Sequence, residues 1–285
     1  MVESFSRWRV HKDTEALLFQ VSDGDIGIPE QHAHKELEVH FVASGELTLL
    51  GGGERVRAVR GMLVVIAPGF HHLALRSDGV ERYAMLVRER MARRVLPTDV
   101  HRRWFGTRGW SQRQLSPQMT SRLTRQLREA VVAQRAHQGS LWNAIASQTL
   151  AMFAIGHEGG GDALGGAQMH AGVVRAIELL RGPDAPSTMG ALAPRCGMSE
   201  SHLSHMFATQ VGVSVTDFRN QCRLGRFLEL NEQRPNDSLM NLAIDAGFGS
   251  YPQFHRVFIA LMGETPAAYR RRGSPRPTAA PSPGV

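Results

Sequence analysis

Cysteine, lysine and long apolar runs are scarce in this sequence of 285 residues. Its two cysteines, Cys196 and Cys222, form no CxxC pair. That excludes a disulfide framework and points to a reducing compartment. No apolar stretch approaches the roughly 20 residues that span a bilayer, and Met1–Val10 has no apolar signal core. The expected location is the cytoplasm, with no membrane partner. Lysine occurs twice, at Lys12 and Lys35, leaving 31 of the 33 basic residues as arginine. Arginine forks onto phosphates and guanine edges, although codon bias gives the same composition. A formal charge of +7 suits a polyanionic partner such as nucleic acid or an acidic surface. Ordinary hydrophobic (42%) and charged (21%) fractions describe a globular chain, and its length suffices for two domains.

From Phe5 to Val87 short apolar runs alternate with turn signals. The runs are Leu17–Val21, Leu37–Val42, Leu47–Leu50, Met62–Ile66 and Tyr83–Val87. The turns are Asp23-Gly24-Asp25, Ser44-Gly45, Gly51-Gly52-Gly53 and Pro68-Gly69. This pattern predicts a β-barrel or sandwich. Between Pro117 and Ile155, Met119, Leu123, Leu127 and Val131, then Leu141, Ile145 and Phe153, recur at helical spacing around a break at Gln138-Gly139. Two antiparallel helices there would trail the barrel and offer a dimer contact. Six glycines between Gly156 and Gly166 read as a flexible linker. The expected division is an effector-binding and dimerisation domain over 1–155, a linker over 156–169, a helical domain over 170–272 and a disordered tail over 273–285.

The helical domain contains an internal repeat. Ala193, Gly197 and Ser199 are followed by Leu203 and Phe207. Fifty residues later Ala243, Gly247 and Ser250 are followed by Phe254 and Phe258. In each copy a helix ends at a glycine corner and a serine caps the next helix. Ser250 and Gln253 add a capping-box pattern. The outward positions are Ser201, His202, Ser204 and His205 in the first copy, and Tyr251, Gln253, His255 and Arg256 in the second. Between them, Ser214 to Glu232 predicts a helix of about 18 residues, roughly 27 Å long. Such a rod would set two reading helices about one DNA turn, roughly 34 Å, apart. Repeats of this kind mark two copies of one supersecondary unit, helix-turn-helix units over 189–210 and 238–261.

Residues 170 to 272 resemble the AraC/XylS DNA-binding domain. The likeness runs nearly end to end from Ala243 to Phe258 and from Gly263-Glu-Thr-Pro266 to Arg270, and includes Gly197-Met-Ser199, Leu203, Phe207 and Gly212. It implies seven helices, with the second helix of each unit in a major groove of double-stranded DNA. Base or phosphate contacts would come from the outward residues named above, Arg256 foremost. Three positions depart from the pattern. His205 stands where the family commonly has arginine, Pro194 falls in the leading helix of the first unit, and Gly225 lies mid-rod. Residues 170–272 carry 11 arginines against 9 carboxylates, so affinity would rest on a local basic face.

Toward the N-terminus, His32-Ala-His34-Lys-Glu-Leu-Glu38 with Gly45, and Pro68-Gly69-Phe70-His71-His72, are similar to the two cupin motifs. Gln31 to His72 also resembles the sensors of α-galactoside (melibiose-type) regulators. The implied fold is a cupin-like barrel, and the implied effector a small molecule, a sugar among the candidates. His32, His34, Glu38 and His72 are the candidate effector-binding residues and, if a divalent transition metal is present, its ligands. His32, His34 and Glu38 share strand parity, but so do Glu36 and His40. A metal site, a metal-free pocket and an ordinary strand with a wet polar face all fit. Trp104, Phe105 and Trp110 read as core or hinge residues, or as a platform for a sugar ring. The expected protein is a transcription regulator and not an enzyme. It would partner DNA, an effector, a second copy and, as an activator, RNA polymerase. The alternatives are a metal-dependent cupin enzyme with a helical accessory domain, and a DNA-binding protein whose barrel serves assembly alone.

Overall fold

A computed structural model describes residues 10, 14–21, 34–75, 79–106, 109–136, 139–162, 167–182 and 184–273. His32, the Asp23-Gly24-Asp25 turn and nearly all of the expected tail lie outside them. The chain forms two compact units, Met1–Cys222 and Arg223–Val285. The division falls inside a long helix of the helical region, not at the glycine-rich segment.

The first unit begins with two antiparallel sheets. One orders β1 (Ala16–Val21), β7 (Glu81–Val87), β2 (Leu37–Ser44), β5 (Met62–Ile66), β8 (Trp110–Gln114) and β9 (Gly161–Asp162) side by side. The other orders β10 (Ala167–Gln168), β4 (Glu54–Val59), β3 (Glu46–Gly51) and β6 (His72–Leu75). Strand alternation sorts the side chains. Val42, Val64, Ile66, Leu47, Leu49, Val56, Ala58 and Ala74 meet inside the barrel. Leu37, Val39, Phe41, Leu63, Val65, Met85 and Val87 face the other way, into a second core closed by helices. Those helices are α1 (Glu89–Val95), α2 (Thr98–Gly106), α3 (Pro117–Ala136) and α4 (Ser140–Gly159). With both faces covered, the first seven residues of β2 are all buried.

All five strand-like runs of the sequence are strands here, whereas β4, β6, β8, α1 and α2 were not foreseen. Trp104 is 2% exposed inside the helix-backed core, which removes it as a ligand platform. Phe105 packs on that core and stacks against His101. Trp110 instead packs beside the barrel interior, edge-on to Phe70 at 5.2 Å, and its Nε1 donates to Glu54 Oε2 at 3.1 Å. The segment expected as a linker adds strands at sheet edges. Arg113 and Gln114 of β8 pair with β9, and Glu54 and Arg55 of β4 pair with β10.

The rest of the first unit holds α5 (Ala171–Arg181), α6 (Met189–Leu192), α7 (Glu200–Val211) and the start of α8 (Val215–Gln233). Pro194 does not break a helix, because α6 ends at Leu192 and Pro194 opens a separate 3-10 turn, where its missing N–H costs no bond. Gly225 sits within a continuous α8. The second unit holds the remainder of α8, then α9 (Leu239–Asp245), α10 (Tyr251–Met262) and α11 (Pro266–Gly273). Phe227, Phe254 and Phe258 form its aromatic core, with Phe227 and Phe254 ring centres 4.4 Å apart. Among the described residues, no helix is long and apolar enough to cross a membrane.

The repeated corner is the same to the hydrogen bond. Gly197 (φ +66°) and Gly247 (φ +95°) both take the left-handed conformation. Met198 N–H donates to the Ala193 carbonyl at 3.1 Å, and Phe248 N–H to the Ala243 carbonyl at 3.0 Å. Thr188, Ser199, Ser238 and Ser250 cap α6, α7, α9 and α10 through their hydroxyls. The capping box is shifted by one residue, since Gln253 Oε1 accepts from Gly249 N–H at 3.1 Å.

Each serine cap satisfies an otherwise bare helix N–H. Ser199→Ala and Ser250→Ala should therefore each lose about 1 kcal/mol in urea unfolding of the full chain. A second expectation concerns His157, which is buried beside Trp104 with Nε2 3.1 Å from Ser111 Oγ. Burial first, then the Arg113 and Arg103 charges, lower its pKa despite the opposing Glu158. A depressed histidine is neutral in the fold but takes a proton on unfolding below about pH 6.5. Stability should thus fall as pH drops below that value, and His157→Gln should show a smaller drop in Tm between pH 7.5 and 5.

Candidate functional sites

The barrel interior carries a buried polar cluster centred on Glu38. The side chains of Glu38 and His72 are each 1% exposed and that of His40 2%, so no wet strand face exists here. His34 Nε2 and His72 Nε2 each lie 2.9 Å from Glu38 Oε2, and His40 Nε2 lies 2.8 Å from Oε1. His34 precedes β2 and is set by the other motif, because Gly69 N–H donates to the His34 carbonyl at 2.7 Å. Thus His34, Glu38 and His72 converge as the sequence suggests, while His32 lies outside the described residues.

Hydrogen-bond roles follow from the partners. His72 Nδ1 lies 3.0 Å from the Phe70 carbonyl, which can only accept, so Nδ1 carries a proton. Nε2 of His72 and a carboxylate oxygen can then approach to 2.9 Å only with a cation between them, either a proton on Nε2 or a metal ion. Burial disfavours charge on His72, yet the Glu38 carboxylate and the Phe70 carbonyl outweigh it and raise its pKa. His40 behaves oppositely. Its Nδ1 faces Arg82 Nη1, a donor, at 3.2 Å, so the ring accepts there and carries its proton on Nε2, the nitrogen near Glu38 Oε1. Burial, opposed by Glu38 but aided by Arg82 and His72, pushes its pKa down to about 4.

A metal would find suitable donors here. One atom each from His34, Glu38 and His72 lies within 4.8 Å of the others. The approaches of His40 and His72 to Glu38 have ion-pair distances without hydrogen-bond alignment. Two imidazoles and one carboxylate suit a divalent transition ion with open positions. The Phe70 carbonyl would orient His72 from behind, and His40 would hold the second Glu38 oxygen.

Sequence reasoning missed three lining residues. His40 was set aside as one more polar residue of a wet face. Arg82 pairs across from Val42, and Gln112 across from Val64, so both face inward, a placement fixed by register between distant strands. Gln112 is 8% exposed, and its Oε1 is buried with no hydrogen bond among the described residues.

Helices α7 and α10 place the outward residues named from the sequence as periodicity predicts. On α7, Ser201, His202, Ser204 and His205 are exposed, while Leu203 and Phe207 are buried. On α10, Arg256 is exposed and Tyr251, Gln253 and His255 are half-exposed over buried Phe254 and Phe258. Gln253 has its amide oxygen occupied by Gly249, which leaves its NH2 for any ligand. Tyr251 leans on Phe254 and His255. Arg256 makes no ion pair among the described residues.

Comparison with known proteins matches residues 25–153 to the AraC-like ligand binding domain and residues 192–272 to a helix-turn-helix domain. An uncharacterized HTH-type transcriptional regulator of Staphylococcus aureus (strain MRSA252) is 32% identical over 83 residues, 29% of this chain and 11% of that protein. The HTH-type transcriptional regulator MtrA of Neisseria gonorrhoeae is 30% identical over 91 residues, 32% of this chain and 30% of that one. The chain thus spans between about a tenth and a third of the length of these curated relatives. Among solved structures, ToxT from Vibrio cholerae aligns over 91% of this chain and 98% of its own, at 13% identity and a TM-score of 0.36. The C-terminal domain of AraT from Geobacillus stearothermophilus aligns over 40% of this chain and 95% of its own, at 21% identity and a TM-score of 0.35. By its two matched domains and the repeated corner between Ala193 and Phe258, the chain belongs to the AraC-type family of helix-turn-helix regulators.

Proposed function

We propose that the protein is a cytoplasmic, sequence-specific DNA-binding transcription regulator whose barrel interior binds a small polar effector. The observation that carries this reading is the duplicated, serine-capped corner that leaves polar faces on α7 and α10 exposed. The second helix of each helix-turn-helix, α7 and α10, enters a major groove. Ser201, His202, Ser204 and His205 make the contacts of α7, and Tyr251, Gln253, His255 and Arg256 those of α10. Arg256, exposed and without an ion pair among the described residues, is the guanine- or phosphate-binding group.

The effector lies against Glu38, His34, His72, Gln112 and Arg82. This lining offers charge and hydrogen bonds and suits a hydroxylated or anionic molecule, a sugar among the candidates. The buried Gln112 carbonyl needs a donor, which a ligand hydroxyl would supply. Trp110, beside Phe70 at the barrel interior, is the one of the three aromatics placed to stack on a ring. A second copy of the chain and, for activation, RNA polymerase complete the proposed partners.

A second reading rests on the metal-competent donors. With an ion bound by His34, Glu38 and His72, the barrel would sense the ion itself or hold the effector through it. A metal-dependent cupin enzyme would need these three ligands together with His32, which lies outside the described residues.

The direct test is a gel shift with DNA flanking the protein's own gene. Salt-sensitive, sequence-preferring binding is expected, weakened by about 1–3 kcal/mol in Arg256→Ala. Binding with no sequence preference, or unaffected by Arg256→Ala, would count against this assignment. Titration with Co(II) decides the metal: visible d–d absorption that disappears in His72→Ala supports an ion site, and a blank spectrum leaves a metal-free pocket. Turnover of a substrate by the metal-loaded protein would favour the enzyme.

A further inference from the structure

The short strand β6 has different neighbours on its two faces. His72 points into the barrel, against Glu38, and Ala74 joins the interior core. Leu73, between them, is 2% exposed on the outer face. There it shares an apolar cluster with Leu50 of β3 and with Val173, Ala176, Ile177, Leu203, Phe207, Val215 and Phe218 of the first helix-turn-helix unit. The strand register sets the two environments side by side: His72 pairs with Gly51, and Leu73 with Leu50.

Polar contacts fasten the same helices to the same sheet. Strand β10 pairs with β4, and Met169 N–H donates to the Gly53 carbonyl at 3.0 Å. Arg55 Nη1 donates to the Thr209 carbonyl at 2.9 Å, at the C-terminal end of α7, where a cation also meets the negative end of the helix dipole. Within the helical part, His170 N–H donates to Gln210 Oε1 at 2.8 Å and ties the start of α5 to the end of α7. Val174 of α5 lies so close to Gly53 that a methyl group there would touch it at 3.9 Å. The polar contacts fall at the C-terminal end of α7, and of Ser201 to His205 only Leu203 is buried in the shared apolar cluster, the rest staying exposed.

We infer that the first helix-turn-helix unit is latched onto the outer barrel face, and that β6 makes the latch respond to the state of the Glu38 cluster. A species that enters the cluster must displace or bridge His72. Close-packed interiors shift between discrete arrangements rather than deform smoothly. A movement of His72 is therefore passed to Leu73, its chain neighbour, and to Leu50 across the ladder. The reading helix α7 is loosened or tightened without any ligand touching it. This goes beyond the proposed effector site by naming the element that transmits its occupancy, and it can be tested without DNA.

The experiment is hydrogen exchange followed by mass spectrometry on the full chain. His72→Gln and Glu38→Gln alter the interior cluster. Val64→Ala opens a cavity in the same interior, on β5, which contributes nothing to the latch cluster. Both polar variants should raise exchange in α5 and α7 by about tenfold, while Val64→Ala should raise it in the barrel alone. Unchanged protection of α5 and α7 in the folded polar variants overturns the inference. So does equal loosening by Val64→Ala. Should the polar variants not fold, Leu73→Val tests the same link in reverse, since coupling is reciprocal. It should shift the nitrogen resonances of the His72 ring, and an unmoved His72 signal refutes the relay.

Discussion

A carboxylate held out of water must be compensated, and the interior of the barrel is arranged to compensate Glu38. Its two oxygens receive three imidazoles from three directions: His34 ahead of β2, His40 two residues along it, and His72 from the opposite sheet. Arg82 stands behind His40 and the Phe70 carbonyl behind His72. An isolated buried charge would cost many kcal/mol or lose its charge. The cluster therefore joins β2 to β6 across the barrel by charge and polar contact, beside the aliphatic contacts of Val42 and Ala74. Its proton count also differs from ring to ring, with His72 favouring its charged form and His40 its neutral form. A site of this kind is sensitive to whatever enters it, whether a polar molecule or an ion.

The helical half relies on a different, local constraint. Each corner needs a left-handed residue, an acceptor carbonyl four residues before it and a hydroxyl to start the next helix. Ala193, Gly197 and Ser199 supply these once, and Ala243, Gly247 and Ser250 again. Since every requirement falls within about a dozen residues, the corner was readable without coordinates. The same holds for α5, α7, α8 and α10, whose apolar positions recur at helical spacing. Pro194 was misplaced because the corner's leading helix ends one turn earlier and re-forms as a 3-10 turn.

What sequence could not supply was which side of each strand meets water. His40 looked like part of a solvent face because it shares strand parity with the polar Glu36 and Glu38, opposite Leu37, Val39 and Phe41. It is buried because helices α3 and α4 cover the other side of β2 and the second sheet covers this one. Strand β4 stayed hidden because its outward positions are Arg55 and Arg57, and β8 because Ser111, Gln112, Arg113 and Gln114 carry almost no apolar signal. Those polar residues are tolerated because β8 pairs along its length with β5. The glycine-rich segment read as a linker, yet Ala167 and Gln168 complete the edge of β4. Edge pairing depends on an open partner strand and leaves little trace in composition.

The two halves meet in one proposition: a charge balance inside the barrel governs how the chain engages DNA. Fluorescence anisotropy of a promoter duplex, compared across salt concentrations for the parent chain and Glu38→Gln, addresses it most directly. The phosphate contacts are untouched by that substitution, so the salt slope should stay the same while the affinity shifts by several-fold. Binding curves that superimpose for the two proteins, or an absence of salt-sensitive binding in either, would contradict it.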